Sequence, residues 1–169
     1  MMTARQISCA ALLLVIGLAA GVDLDCPPFW TRFGDHCYRF FRPTKSWPAA
    51  EEHCQEFFSR KGQGHLASIH TAEENSFLIQ MWQTLVPRER NYVNTHVWLG
   101  HTDQTKEGNF SWSDGTGFRY RAWRDDQPDN GGQGEDCGTF WNHGSVIGWN
   151  DVPCRAILPY ICKMPINKE

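Results

Sequence analysis

Beyond its first 21 residues this chain has no apolar run approaching the roughly 20 residues that cross a bilayer. No membrane insertion is expected there. Positive charge is not in surplus either: 16 Lys and Arg stand against 19 Asp and Glu, a formal charge of −3. With no basic stripe to neutralise phosphates, nucleic acid is disfavoured as a partner. No Cys-x-x-Cys pair occurs, and scattered cysteines argue against structural zinc. Gly-x-Ser-x-Gly, His-Glu-x-x-His and phosphate-loop motifs are all missing, which removes common enzyme signatures. Asp125 and Asp126 are paired acids, but adjacency in the chain says nothing about the separation glycoside hydrolysis requires. The chain is read as a non-enzyme. Heptads, collagen repeats and internal repeats are absent as well, so an oligomer would form non-covalently through the domain's own surface.

The front of the chain carries an address. Arg5 gives a basic start, Ala10 to Ala20 is apolar but for Gly17, and Ala19-Ala20-Gly21 offers the small residues a signal peptidase reads. Residues 1–21 are expected to be a secretory signal. The competing reading, a membrane anchor, needs a longer run. Residues 22–169 then form one secreted, extracellular domain with a formal charge of 15 − 19 = −4. Of seven cysteines, Cys9 lies in the signal, leaving Cys26, Cys37, Cys54, Cys137, Cys154 and Cys162. An even number in a secreted chain predicts three disulfides, and the residues alone leave all fifteen pairings open.

Two helices are expected early. Ser46-Trp47-Pro48 sets a capping hydroxyl before an early-turn proline, and Trp47, Ala50, Cys54, Phe57 and Phe58 recur on one face. Thr71-Ala-Glu-Glu74 is a capping box, followed by a stripe of Phe77, Leu78, Met81, Trp82 and Leu85, with Pro87 as terminator. Short strands follow at Val97–Gly100, Phe110–Trp112, Thr139–Trp141 and Tyr160–Cys162. Helices first and strands later predict an α+β fold.

Between the strands, residues 124–136 gather oxygen: Asp125, Asp126, Gln127, Asp129, Asn130, Glu135 and Asp136, with Trp149-Asn150-Asp151 shortly after. Calcium takes six to eight oxygen ligands in flexible geometry, mixing carboxylates, amides and water. Magnesium wants tighter octahedral geometry, and soft metals want the sulfurs already committed to disulfides. The plain alternative is a solvated acidic loop, and no EF-hand spacing is present.

Taken together, Val97-Trp-Leu-Gly100, Gln127-Pro-Asp129, Glu135-Asp-Cys137, Trp149-Asn-Asp151 and the six cysteines resemble the C-type lectin domain in its long form with an N-terminal hairpin. The resemblance spans Cys26 to Cys162. It implies two helices packed on short antiparallel sheets beneath a long calcium-binding loop. It implies the disulfides Cys26–Cys37, Cys54–Cys162 and Cys137–Cys154, each worth about 2–4 kcal/mol. It implies a cis bond before Pro128. It also implies a sugar-binding calcium held by Gln127, Asp129, Glu135, Asn150 and Asp151, whose acids and amides share the sugar hydroxyls with the ion. In this family the order Gln-Pro-Asp favours galactose or N-acetylgalactosamine over mannose. One departure stands out: strong galactose binders carry a stacking Trp where this chain has Gly131. Trp141 is a candidate substitute, although a strand position reads first as buried. A second calcium site is implied at Asp103, Glu107, Asn130, Glu135 and Asp136, similar to that of collagenous mannose-binding lectins but with Asn130 replacing an acid, which weakens it.

Asn109-Phe-Ser111 is a glycosylation sequon. The expected function is calcium-dependent binding of galactose-type glycans on cells or microbes, as in innate immunity. One shallow site would bind near millimolar, about −4 kcal/mol, so clustered sites are needed. The alternative is a lectin-like module for a protein, ice or mineral surface.

Overall fold

The computed structural model describes residues 26–86, 95–132, 134–143 and 146–166. The expected signal and Pro87 lie outside the described residues.

A hairpin opens the domain. Strand β1 (Thr31–Phe33) pairs antiparallel with β2 (His36–Lys45), Thr31 opposite Tyr38, and the Cys26–Cys37 disulfide joins its base to the preceding turn. Helix α1 (Trp47–Gln55) follows, then a small ribbon of β3 (Phe58–Ser59) and β4 (Gly62–Gln63), strand β5 (His65–Leu66) and helix α2 (Ala72–Leu85). The second half supplies β6 (His96–Thr102), β7 (Ser111–Trp112), β8 (Cys137–His143), β9 (Val146–Val152) and β10 (Leu158–Pro165). Eight strands make one sheet in the order β1-β2-β10-β6-β8-β9, with β5 on β10 and β7 on β6. The expected antiparallel pairing has one exception: β10 runs parallel to β6, Tyr160 opposite Trp98. The architecture is α+β, and the three disulfides form in the expected pairing. Cys54–Cys162 ties α1 to β10, and Cys137–Cys154 ties the start of β8 to the segment after β9. Among the described residues no helix is long and apolar enough to cross a membrane.

Local chemistry departs from expectation at the helix ends. Pro48 sits in the first turn of α1, but the Ser46 side chain makes no capping bond. Trp47, Ala50 and Cys54 are buried as expected, yet α1 stops at Gln55. Phe57 packs on the core from the following turn, and Phe58 in β3 is 77% exposed. In α2 the Thr71 hydroxyl accepts from the Glu74 N–H, one half of the expected box. The reciprocal half is diverted, because Glu74 is buried against the sheet. Its carboxylate takes the His70 N–H at 2.7 Å, the Lys163 ammonium at 2.8 Å and the Tyr38 hydroxyl. Burial alone would raise the Glu74 carboxyl, but Lys163 and these hydrogen bonds hold it below its ordinary value. Leu78 and Trp82 form the buried line of α2, whereas Leu85, its last residue, is half-exposed.

The core divides in two. Trp98, Leu158, Tyr160, Leu66 and the Cys54–Cys162 pair fill one side, while Trp82, Phe140, Trp149, Leu78 and Ile161 fill the other. On the second side His101 is fully buried among Phe110, Trp112, Trp123 and Trp149, and neither ring nitrogen has a partner. Burial pushes its pKa down to about 3, so the ring is neutral at physiological pH.

Candidate functional site

The loop after Trp123 is anchored to β9 before it reaches the acidic stretch. Trp123 bridges Trp149, the Arg124 N–H donates to the Trp149 carbonyl at 3.0 Å, and the Arg124 guanidinium donates to the Val146 carbonyl at 2.7 Å. The Gln127–Pro128 bond is cis. Asn130 then turns the chain with φ 48°, a left-handed conformation that asparagine tolerates better than most residues.

Strand β9 delivers the floor. Asn150 and Asp151 are both buried, and Asp151 binds the loop from beneath: one carboxylate oxygen accepts the Asp129 N–H at 3.2 Å and the other the Asn130 N–H at 3.0 Å. Glu135 closes the loop by accepting the Gly131 N–H at 3.2 Å, and its own N–H donates to Asn130 Oδ1 at 2.8 Å. Carboxylate oxygens of Asp129, Glu135 and Asp151 all come within 4.8 Å of one another. Into the same space points one end of the Gln127 amide, 2.7 Å from Asp151 Oδ1, 2.9 Å from Asn150 Oδ1 and 3.3 Å from Asp129 Oδ1. With no cation present the NH2 end belongs there, its two N–H groups shared among these acceptors. With a cation, the carbonyl end fits and joins a ring of oxygens.

Electrostatics describe the same crowding. The Glu135 carboxyl is pushed up to about 7, first by partial burial and then by the charges of Asp151 and Asp129. Asp151 is raised too, chiefly by burial, against the backbone N–H groups of Asn130, Asp129 and Asp151 itself, which lower it. Three carboxylates sharing one small volume are short of positive charge. All five residues expected to hold the sugar-binding ion therefore lie together, and among them they offer a hard-cation donor set.

The residues expected at a second site are partly gathered. Asp103 is 2% exposed, and one of its carboxylate oxygens accepts the Gly108 N–H at 2.7 Å while the other is buried without a partner. Its own N–H donates to the Asp136 carbonyl at 3.1 Å. Glu107 is raised by desolvation and then by the charges of Asp103 and Asp136, but among the described residues the acids whose oxygens come within 4.8 Å of one another are Asp129, Glu135 and Asp151. Asn130 and Glu135 bond to each other across the first site. Asn109 is exposed, so its side chain is reachable by a glycosyltransferase.

A Cβ at Gly131 would stand 3.1 Å from a Glu135 carboxylate oxygen, so a side chain here presses on that acid. Trp141, read from its strand position as a buried residue, is only partly buried. It lines an open groove of about 610 Å³ with Gln127, Asp129, Glu135 and Asn150. His96 and Val152 also line this groove and carried no motif in the sequence; only the cross-strand register reveals them.

Two helices on a mixed sheet, three disulfides and an oxygen-ringed loop above β9 define a recognition domain built around its loops rather than around a deep cavity. A family model, the lectin C-type domain, matches residues 43–164. The chain belongs to the C-type lectin domain family. It is 40% identical over 161 residues to an alpha-N-acetylgalactosamine-specific lectin of Patiria pectinifera, covering 90% of this chain and 92% of that one. Echinoidin of Heliocidaris crassispina is 41% identical over 147 residues, with 83% and 97% covered. Among solved structures, the C-type lectin CEL-I from Cucumaria echinata superposes with a TM-score of 0.73 at 33% identity, covering 85% of this chain and 99% of that one. Herring type II antifreeze protein superposes at 0.67 with 30% identity, covering 83% and 98%.

Proposed function

We propose that this protein is a secreted, calcium-dependent lectin for glycans ending in galactose or N-acetylgalactosamine. Gln127, Asp129, Glu135, Asn150 and Asp151 hold the ion and read the sugar. The observation that carries this reading is the convergence of their side-chain ends on one point, three acids among them. When bound, calcium accepts lone pairs from two neighbouring sugar hydroxyls. The side chains do the rest. Carboxylate oxygens of Asp129 and Glu135 accept the hydroxyl protons, and amide NH2 groups of Gln127 and Asn150 donate to the hydroxyl oxygens. Acid and amide therefore sit in a fixed order around the ion, and that order selects the diol.

The galactose-type preference rests on Gln127-Pro128-Asp129 and on the specificity stated in the name of the Patiria lectin. The orphaned Asp103 oxygen fits a second calcium held by Asp103, Glu107 and Asp136, with Asn130 and Glu135 at its edge. Asn109 is the proposed glycan acceptor, and residues 1–21 the removed signal. The antifreeze neighbour shows that this fold also serves other purposes, so specificity has to be argued from the site.

The test exchanges the order of acid and amide. Gln127→Glu combined with Asp129→Asn keeps every ligand oxygen but reverses donors and acceptors. On paired galactose and mannose affinity columns in calcium, the wild type is expected on galactose and the double variant on mannose. Continued preference for galactose by the variant would remove the order as determinant.

A further inference from the structure

The groove beside the five oxygen ligands is larger than one sugar. A hexose coordinated through two hydroxyls occupies its acidic end, while the lining continues along the face of β8 to Trp141, His96 and Thr95. The register explains the direction. Thr139 lies opposite Asn150 in the β8–β9 pair, and Trp141 is two residues further on the same face. That places Trp141 diagonally across from a proposed calcium ligand, at a Cα spacing of about 7–8 Å. One pyranose ring spans a step of that order. His96 pairs directly with Trp141 from β6, and Thr95 lies just beyond it.

The indole is held in place. The Arg124 guanidinium lies over the ring, 4.6 Å from its centroid, and the His96 imidazole runs nearly parallel at 5.8 Å. Arg124 is itself tied to Val146, and its stem occupies the space that Gly148, opposite Trp141, leaves by lacking a Cβ. A ring fixed before the ligand arrives loses little freedom on binding, which favours its use as a contact surface. A pyranose offers a complementary surface of C–H groups. Gly131 contributes no such wall on the loop side, so the aromatic surface of this groove comes from the strand.

We infer that the groove is an extended site for a galactosyl disaccharide or longer glycan, whose second sugar packs against Trp141. This rests on the reading that calcium holds the terminal galactose. The extended part adds affinity and selects among glycans with the same terminal sugar.

The test titrates the protein in calcium with methyl β-galactoside and with β-galactosyl disaccharides of different linkage, including lactose and N-acetyllactosamine. At least one disaccharide is expected to bind about tenfold more tightly than the monosaccharide, in line with one aromatic contact. Trp141→Ala is expected to erase that gain, bringing the ratio of disaccharide to monosaccharide affinity close to one. Trp141→Phe keeps most of the gain, and the wild-type comparison of mono- and disaccharide needs no variant at all. Equal affinities for all the sugars, or an Ala variant weakened alike toward both kinds, would overturn the extended site while leaving the calcium reading intact. Failure of methyl β-galactoside itself to bind in calcium would overturn both.

Discussion

Asp151→Ala is expected to abolish calcium-dependent retention on galactose and to weaken calcium binding at least about a hundredfold, some 2.7 kcal/mol. Asp151 serves the site twice. It contributes one of the three clustered carboxylates, and its two oxygens hold the Asp129 and Asn130 N–H groups in place. Removing it takes away one proposed charged ligand and lets the loop that carries two other proposed ligands drift. The rest of the fold should survive, because Cys137–Cys154 and the β8–β9 pairing do not depend on this side chain. Calorimetric calcium titration alongside a melting curve in EDTA separates the two effects. The expected result is loss of the calcium heat that belongs to the Asp129, Glu135 and Asp151 cluster, with any heat from the second site retained and a nearly unchanged EDTA melting temperature. Asp151→Asn supplies an informative partner, keeping one acceptor for the loop while removing the charge. Undiminished calcium binding by the alanine variant would place the ion elsewhere.

Gly138→Ala is expected to destabilise the domain by about 3 kcal/mol or more, at the upper end for overpacked cores. A methyl group here would overlap the His101 imidazole, which has no room to retreat among its aromatic neighbours. For a domain of this size that corresponds to a fall in melting temperature of roughly 10 °C. The strain reaches the site as well, since Gly138 lies opposite Asp151 and His101 stands on β6 just before Asp103. Calcium affinity should fall together with stability. In the double variant with His101→Ala the added methyl fills vacated space, so the two changes should be strongly non-additive. Thermal melts of the four proteins check this, and a Gly138→Ala protein as stable as wild type would contradict the packing described.

The sequence made the scaffold and the oxygen-rich loop legible for identifiable reasons. Helix starts, strand runs and the oxygen-rich loop are local patterns, and a span of a few residues carries each. Side chains whose roles depend on distant partners were not legible. Glu74 belongs to a capping box by spacing, but Lys163 lies 89 residues away and recruits it into a buried network. Phe58 continues an apolar periodicity that the helix does not, because α1 ends at Gln55 and the chain turns into a ribbon. Trp141 reads as core in a strand of apolar neighbours. Its place in the groove follows from pairing with His96 and Gly148, which only the sheet register specifies. His101 and Gly138 are complementary in shape across β6 and β8, and no motif marks either one.

The measurement that bears most directly on the calcium-lectin reading is chromatography of the protein on galactose-agarose in calcium, followed by EDTA. Retention in calcium and release by EDTA is the predicted result, because in the proposed site sugar and ion share Gln127, Asp129, Glu135, Asn150 and Asp151. Passage through the column in calcium, or retention that EDTA does not reverse, would contradict it.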